Sequence, residues 1–137
     1  MQYPKRRRKK SERARLVKSC SIKWSYATKL PTEGRCGLCG SNNQVESHHI
    51  VKKGTRMHQG WFLLNNVVPL CWNCHYEGIH SLHFPTTEIY QEKIVEYLKR
   101  KGLDYETLFQ QCRNGPRMDT EELRRILESL EDFISKF

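Results

Sequence analysis

The chain has 137 residues, a formal net charge of +9, 37% hydrophobic residues and 28% charged ones. That length suits one domain with appendages, and that composition suits a small core under a wet surface. No apolar run approaches the roughly 20 residues of a membrane span, and no apolar stretch follows the charged N-terminus, so neither a membrane nor a secreted protein is expected. An intracellular, cytoplasmic setting makes the six cysteines metal ligands or free thiols rather than disulfides.

The charge is concentrated at one end. Residues 1–24 hold ten basic side chains against Glu12 alone, ten minus one giving +9, and the remaining 14 basic and 14 acidic residues cancel. Residues 1–19 therefore read as a basic arm, disordered in isolation. Arg6, Arg7, Arg8, Lys9 and Lys10 are candidate phosphate contacts that bind by releasing counterions. A solubilising tail or a nuclear-localisation signal would have the same composition.

A short helix is expected over 19–30, with Ile22, Tyr26 and Leu30 recurring at four-residue spacing and Pro31 stopping it. It is expected to pack on the cysteine-bearing segment downstream, with Cys20 as a small buried residue. Residues 34–40 contain Cys36-Gly-Leu-Cys39, where Gly37 and Gly40 permit the tight backbone that turns two thiolates toward one ion. Residues 45–51 form the first expected strand. Alternation puts Val45, Ser47 and His49 on one face and Glu46, His48 and Ile50 on the other. Residues 52–65 are an expected loop across the ligand-facing surface, carrying Arg56 as a further phosphate contact.

A second strand over 67–70 contains Pro69, which marks an edge or an end. A helix is expected from Trp72 to about Ile79, with Cys71, Cys74 and His75 at its start. Thr86 or Thr87 then caps a helix bearing Ile89, Ile94, Tyr97 and Leu98, closed by Gly102. A shorter one follows Asp104 and carries Tyr105, Leu108 and Cys112. Asp119-Thr-Glu-Glu122 resembles a capping box, and after it Leu123, Ile126, Leu127, Leu130, Phe133 and Ile134 share one stripe. That stripe is core or half of an αα-hairpin; a homodimer through these C-terminal helices is the sharper alternative.

Two chemistries interleave in residues 36–80. Two Cys-x-x-Cys pairs with 31 residues between them supply four thiolates, the number and softness for one closed tetrahedral structural zinc. A ββα element alone has little apolar mass, and zinc would clamp the knuckle to the helix start. His48, His49, Asn66, His75 and His80 form a second set, able to hold a harder divalent ion and leave one histidine as a base.

With Glu46-Ser-His48-His49, Asn66 and Cys71-Trp-Asn-Cys74-His75, the segment resembles the HNH endonucleases, the ββα-metal family, in a zinc-braced form. The resemblance covers about a third of the chain. The order of a helical tail after a Cys-rich core is similar, more loosely, to the phage Rap/NinG recombination endonucleases. The likeness implies an α+β fold: a small ββα-metal nuclease core with a four-cysteine zinc site over 20–84, preceded by the basic arm over 1–19 and followed by a helical extension over 85–137.

What the family implies for function is cleavage of DNA, in phage recombination or DNA processing, within a host cytoplasm if the chain is phage-encoded. His49, second of the pair, would be the general base, and for His48 and His49 to meet at one site the family pattern requires the strand to end or bend there. His48 and His75 would hold Mg²⁺, Mn²⁺ or Ni²⁺, and products would carry 5′-phosphate and 3′-hydroxyl ends. Asn66 would pin the loop that carries the base, and in some members approaches the metal. Glu46 would orient a basic side chain or a ligand histidine. His80 falls one residue beyond the α-helical repeat of His75, so it either swings back toward the metal or contacts phosphate. His58 and His83 are expected to face solvent. A zinc-module DNA-binding protein without catalysis is the competing reading, and an RNA-directed nuclease a third.

Overall fold

The computed structural model describes residue 3 and residues 10–52 and 60–137. Arg6, Arg7, Arg8, Lys9 and Arg56, singled out above as phosphate contacts, and His58 lie outside the described residues; Lys10 is described and exposed. Among the described residues the architecture is α+β, with four α-helices, one π-helix and a two-stranded antiparallel sheet.

Helix α1 spans Glu12–Lys29, so it begins inside the stretch expected to be a disordered arm. The start has a local cause: Ser11 caps it by accepting from the Ala14 N–H at 3.1 Å, with Glu12 in the first turn where the helix dipole favours an acid. The face that packs is also not the expected one. Ile22 and Tyr26 are 59% and 56% exposed, whereas Cys20, Trp24, Ala27 and Thr28 are buried. Both stripes have near-helical spacing, and the one carrying the indole has more apolar area to remove from water.

This buried stripe meets helix α4 (Thr120–Ser135) and, through Trp24 and Thr28, residues 47–49 of the segment between the cysteine pairs. Leu123 and Leu130 are fully buried against it, with Ile126, Leu127, Phe133 and Ile134 packed alongside. The apolar stripe of α4 thus finds its partner within the chain. Cys20 is buried as expected, its Sγ donating to the Leu123 carbonyl at 3.4 Å, and Arg124 pairs with Glu12 at the surface. Asp119 caps α4 by accepting from the Glu122 N–H at 2.9 Å, but Glu122 pairs with Arg125 at 3.0 Å.

The sheet is small. Strand β1 is Glu46–His48 and β2 is Val68–Leu70, with Glu46 opposite Leu70, Ser47 opposite Pro69 and His48 opposite Val68. Pro69 is tolerated because a two-stranded sheet consists only of edges. Cys36, Val68, Leu70, Cys71, Cys74, Ile94 and Tyr97 form a second cluster, which joins the sheet to helix α2 (Phe84–Arg100). Helix α2 starts two residues before the expected threonine caps, because Pro85 fits its first turn. Its buried face is Ile94, Tyr97 and Leu98, while Ile89 is exposed. Helix α3 (Tyr105–Arg113), capped by Asp104 through the Thr107 N–H at 3.2 Å, buries Leu108 and Cys112 against Val51 and Leu98. Among the described residues, no helix is long and apolar enough to cross a membrane.

Candidate metal centres and active site

The two cysteine pairs converge. Cys36, Cys39, Cys71 and Cys74 offer sulfur atoms that all lie within 4.8 Å of one another, and Cys39 Sγ is 3.5 Å from Cys71 Sγ. Four thiolates about 2.3 Å from one zinc stand roughly 3.8 Å apart, so the donor set and its dimensions fit a closed tetrahedral site. Cys36, Cys71 and Cys74 are buried and Cys39 is at the rim.

Local backbone explains the convergence. The Cys36 N–H donates to the Ser41 carbonyl at 2.8 Å and the Gly40 N–H to the Cys36 carbonyl at 3.0 Å, closing the knuckle. Gly40 does this at φ +77°, the left-handed region that glycine enters without penalty. The Gly37 N–H reaches the Pro69 carbonyl at 2.7 Å and ties the knuckle to β2, while the Trp72 N–H donates to the Asn43 carbonyl at 3.1 Å. Burial pushes the Cys36 thiol up, but hydrogen bonds from the Cys71, Cys39 and Leu38 backbone outweigh it and bring it down to about 7. Burial and neighbouring sulfurs raise Cys74. Cys36 poised low while Cys39 and Cys74 are held high is what acids sharing one site do without a counter-cation, and a divalent ion removes the conflict.

A second group lies beside it. His48, His75 and His80 each place a ring nitrogen within 4.8 Å of the others. Their ring centroids are 5.2 Å apart for His48 and His75, 5.4 Å for His48 and His80, and 4.7 Å for His75 and His80. The one-residue delay of His80 is absorbed by the helix type. Residues Asn73–Ile79 form a π-helix, and the His80 N–H donates to the His75 carbonyl at 2.9 Å, five residues back. A wider turn brings i and i+5 together where an α-helix would bring i and i+4, a feature frequent at functional sites.

Gly78 makes that widening possible. It is buried, and a Cβ there would stand 2.6 Å from the Tyr90 ring of α2. Burial and the positive charge of its neighbours, His75 first, bring His48 down to about 4. Burial, then His80, also lowers His75, against the pull of Glu46. His48 and His75 are therefore held toward the neutral form, with lone pairs available to a cation.

Nδ1 of His75 is buried and has no well-directed hydrogen bond among the described residues. Glu46 Oε2 is 3.2 Å away, off the geometry of one. Glu46 also accepts from the Tyr76 hydroxyl at 3.0 Å. Glu46 is itself half exposed and lies beside His75. The unpartnered nitrogen, the three lone pairs and the adjacent carboxylate fit a divalent ion.

His49 points the other way. Ser47 meets the Thr28 hydroxyl of α1 at 2.7 Å, and the His49 ring lies between two indoles. Trp24 is stacked on one side at 4.0 Å and 6°, Trp61 at 3.5 Å and 13°. Strand alternation persists one residue past β1: Glu46 and His48 turn to the π-helix, Ser47 and His49 to α1. The bend expected to bring both histidines to one ion is absent, so the trio is completed by His80 and not by His49. Nε2 of His49 lies 2.7 Å from the Trp61 carbonyl. A carbonyl can only accept, so Nε2 carries the proton and Nδ1 is left as the unprotonated nitrogen. Burial takes this imidazole down to about 4, with the carbonyl bond opposing.

Asn66 is 1% exposed, and its amide is fully used on backbone. Oδ1 accepts from the Ile50 and Val51 N–H groups at 3.1 and 2.7 Å, and Nδ2 donates to the Val51 and Gly60 carbonyls at 3.2 and 3.3 Å. It fastens the chain after His49 to the segment that supplies the Trp61 carbonyl. It approaches no ring of the trio, so its role is positioning. His83 is exposed and bonds Thr86 at 2.9 Å, outside both centres.

Trp24, Trp61, Tyr76 and Tyr90 are the residues that sequence reasoning missed. The contacts that place them reach from 12 to 39 positions along the chain, beyond any local period. The sole hint is that three tryptophans occur in so polar a chain. A scan against family models, a search of curated proteins and a search of solved structures found no match.

Proposed function

We propose that the chain is a metal-dependent endonuclease of the HNH type that hydrolyses phosphodiester bonds in DNA. The observation that carries this reading is a three-imidazole cluster held beside a four-sulfur cluster. His48, His75 and His80 would hold the divalent ion, and the cysteines a structural zinc. The bound ion would supply charge stabilisation for the phosphate and for the leaving 3′ oxygen.

The rest falls to the chain's own groups. Nδ1 of His49 accepts a proton from the attacking water, while the Trp61 carbonyl holds Nε2–H and the two indoles fix the ring plane. Asn66 keeps that geometry by clamping residues 50, 51 and 60. Glu46, steadied by Tyr76, sets the orientation of His75. The N-terminal positive charge, ten basic residues against one acid in residues 1–24, contributes affinity for the polyanion. Products would carry 5′-phosphates and 3′-hydroxyls.

One observation favours a second reading, a zinc-module DNA-binding protein without catalysis: His49 is packed between indoles as a core histidine would be. The test is nicking of supercoiled DNA by zinc-loaded protein with Mg²⁺, Mn²⁺ or Ni²⁺, beside a chelator control and His49→Ala. Ion-dependent nicking that disappears in the variant supports the nuclease. Binding with no nicking under any ion supports the second reading.

A further inference from the structure

Two aromatic rings stand in solvent against the histidine trio. Trp72 is 39% and Tyr76 43% exposed. Their centroids are 5.7 Å apart with the ring planes tilted by 46°, so each offers its own face, and Tyr76 lies 4.5 Å from His75. The Tyr76 hydroxyl is held by Glu46, and the main chain of Trp72 is tied by its backbone N–H to the Asn43 carbonyl. Large aromatic surface left in water gains from burial against a partner.

We propose that Trp72 and Tyr76 form a stacking platform for an unpaired nucleobase next to the phosphate bound at the histidine trio, so that the substrate is DNA with unpaired nucleotides at the cleavage point. The inference rests on the nuclease reading and narrows it. Three features identify the occupant. The platform is continuous with the site that would take a phosphate, and a phosphate's own bases are the π-faces closest to it. The chain's +9 charge matches a polyanion. Within a duplex each base face is covered by its neighbours, so an exposed indole has a face to stack on only where the strand is unpaired.

The test is equilibrium binding of a labelled single strand and of the blunt duplex of the same sequence to the zinc-loaded full chain. No divalent ion is added, so nothing is cleaved. Wild type should prefer the single strand. Trp72→Ala should weaken single-strand binding about 5- to 100-fold and duplex binding less than about twofold, while Trp72→Phe and Tyr76→Phe, which keep a ring, retain most of the affinity. Zinc content and circular dichroism confirm that the variants are folded. Equal losses on both substrates, or unchanged single-strand binding as expected if the rings serve a protein partner, would overturn the platform. Selective loss in a protein that never nicks DNA would keep the platform and remove the nuclease; nicking without selective loss would do the reverse.

Discussion

Asn66→Ala removes one side chain and strands four backbone groups: the N–H groups of Ile50 and Val51 and the carbonyls of Val51 and Gly60. At about 1 kcal/mol net for each hydrogen bond, the loss sums to roughly 4 kcal/mol. The amide leaves a polar space, and a water entering it can replace one or two of the bonds, so the expected loss is about 2–4 kcal/mol. That is a large share of the roughly 5–15 kcal/mol by which domains are stable. Urea unfolding of the zinc-loaded protein measures the loss, and amide exchange at Val51, whose N–H makes the shortest of the four bonds at 2.7 Å, localises it. Asn65→Ala is the control, since Asn65 is exposed and surface changes usually stay within about 0.5 kcal/mol. A loss below about 1 kcal/mol in Asn66→Ala, or equal losses in the two variants, would refute the clamp.

Gly78→Ala should cost about 1–3 kcal/mol by overpacking against Tyr90 and weaken divalent-ion binding. Both effects should be recovered largely in the double variant with Tyr90→Ala, read by calorimetry. Cys36→Ser should abolish stoichiometric zinc and lower the thermal midpoint; metal analysis that still finds about one zinc per chain would remove the cysteine site. The pH prediction comes from His48 and His49, which bind protons near pH 4 when folded and near 6.5 when unfolded. Between those values the unfolded chain binds more protons, so stability is fully present above about 6.5 and declines as pH falls toward about 4. His48→Gln/His49→Gln should flatten that decline in denaturant titrations; zinc release in acid affects both proteins alike and cancels in the difference.

Much of this was legible in the chain. The Cys-x-x-Cys spacing located the four-sulfur cluster because its constraint is local at each pair. Strand alternation already sent His48 and His49 to opposite faces, and it was the resemblance, not the period, that called for a bend. Helix α4 and its cap were readable from Asp119 and the stripe after it. Three things were not. The π-helix has no sequence signature, and it is what moves His80 into the trio; the bare Cα of Gly78 lets it pack under Tyr90. The choice between the two faces of α1 depends on where Trp24 finds an imidazole and an α4 to cover it. Asn66 was recognisable as a motif residue, but only the fold shows all four of its hydrogen bonds going to backbone.

The proposed function requires a divalent ion among the imidazoles of His48, His75 and His80, separate from the sulfur site. Anomalous diffraction from crystals of the full chain soaked in Mn²⁺, recorded at the manganese and zinc edges, locates it. The expected result is a manganese peak bounded by ring nitrogens of His48, His75 and His80 and a zinc peak bounded by the four cysteines. A manganese map without density at the trio, while zinc occupies the cysteines, would contradict it.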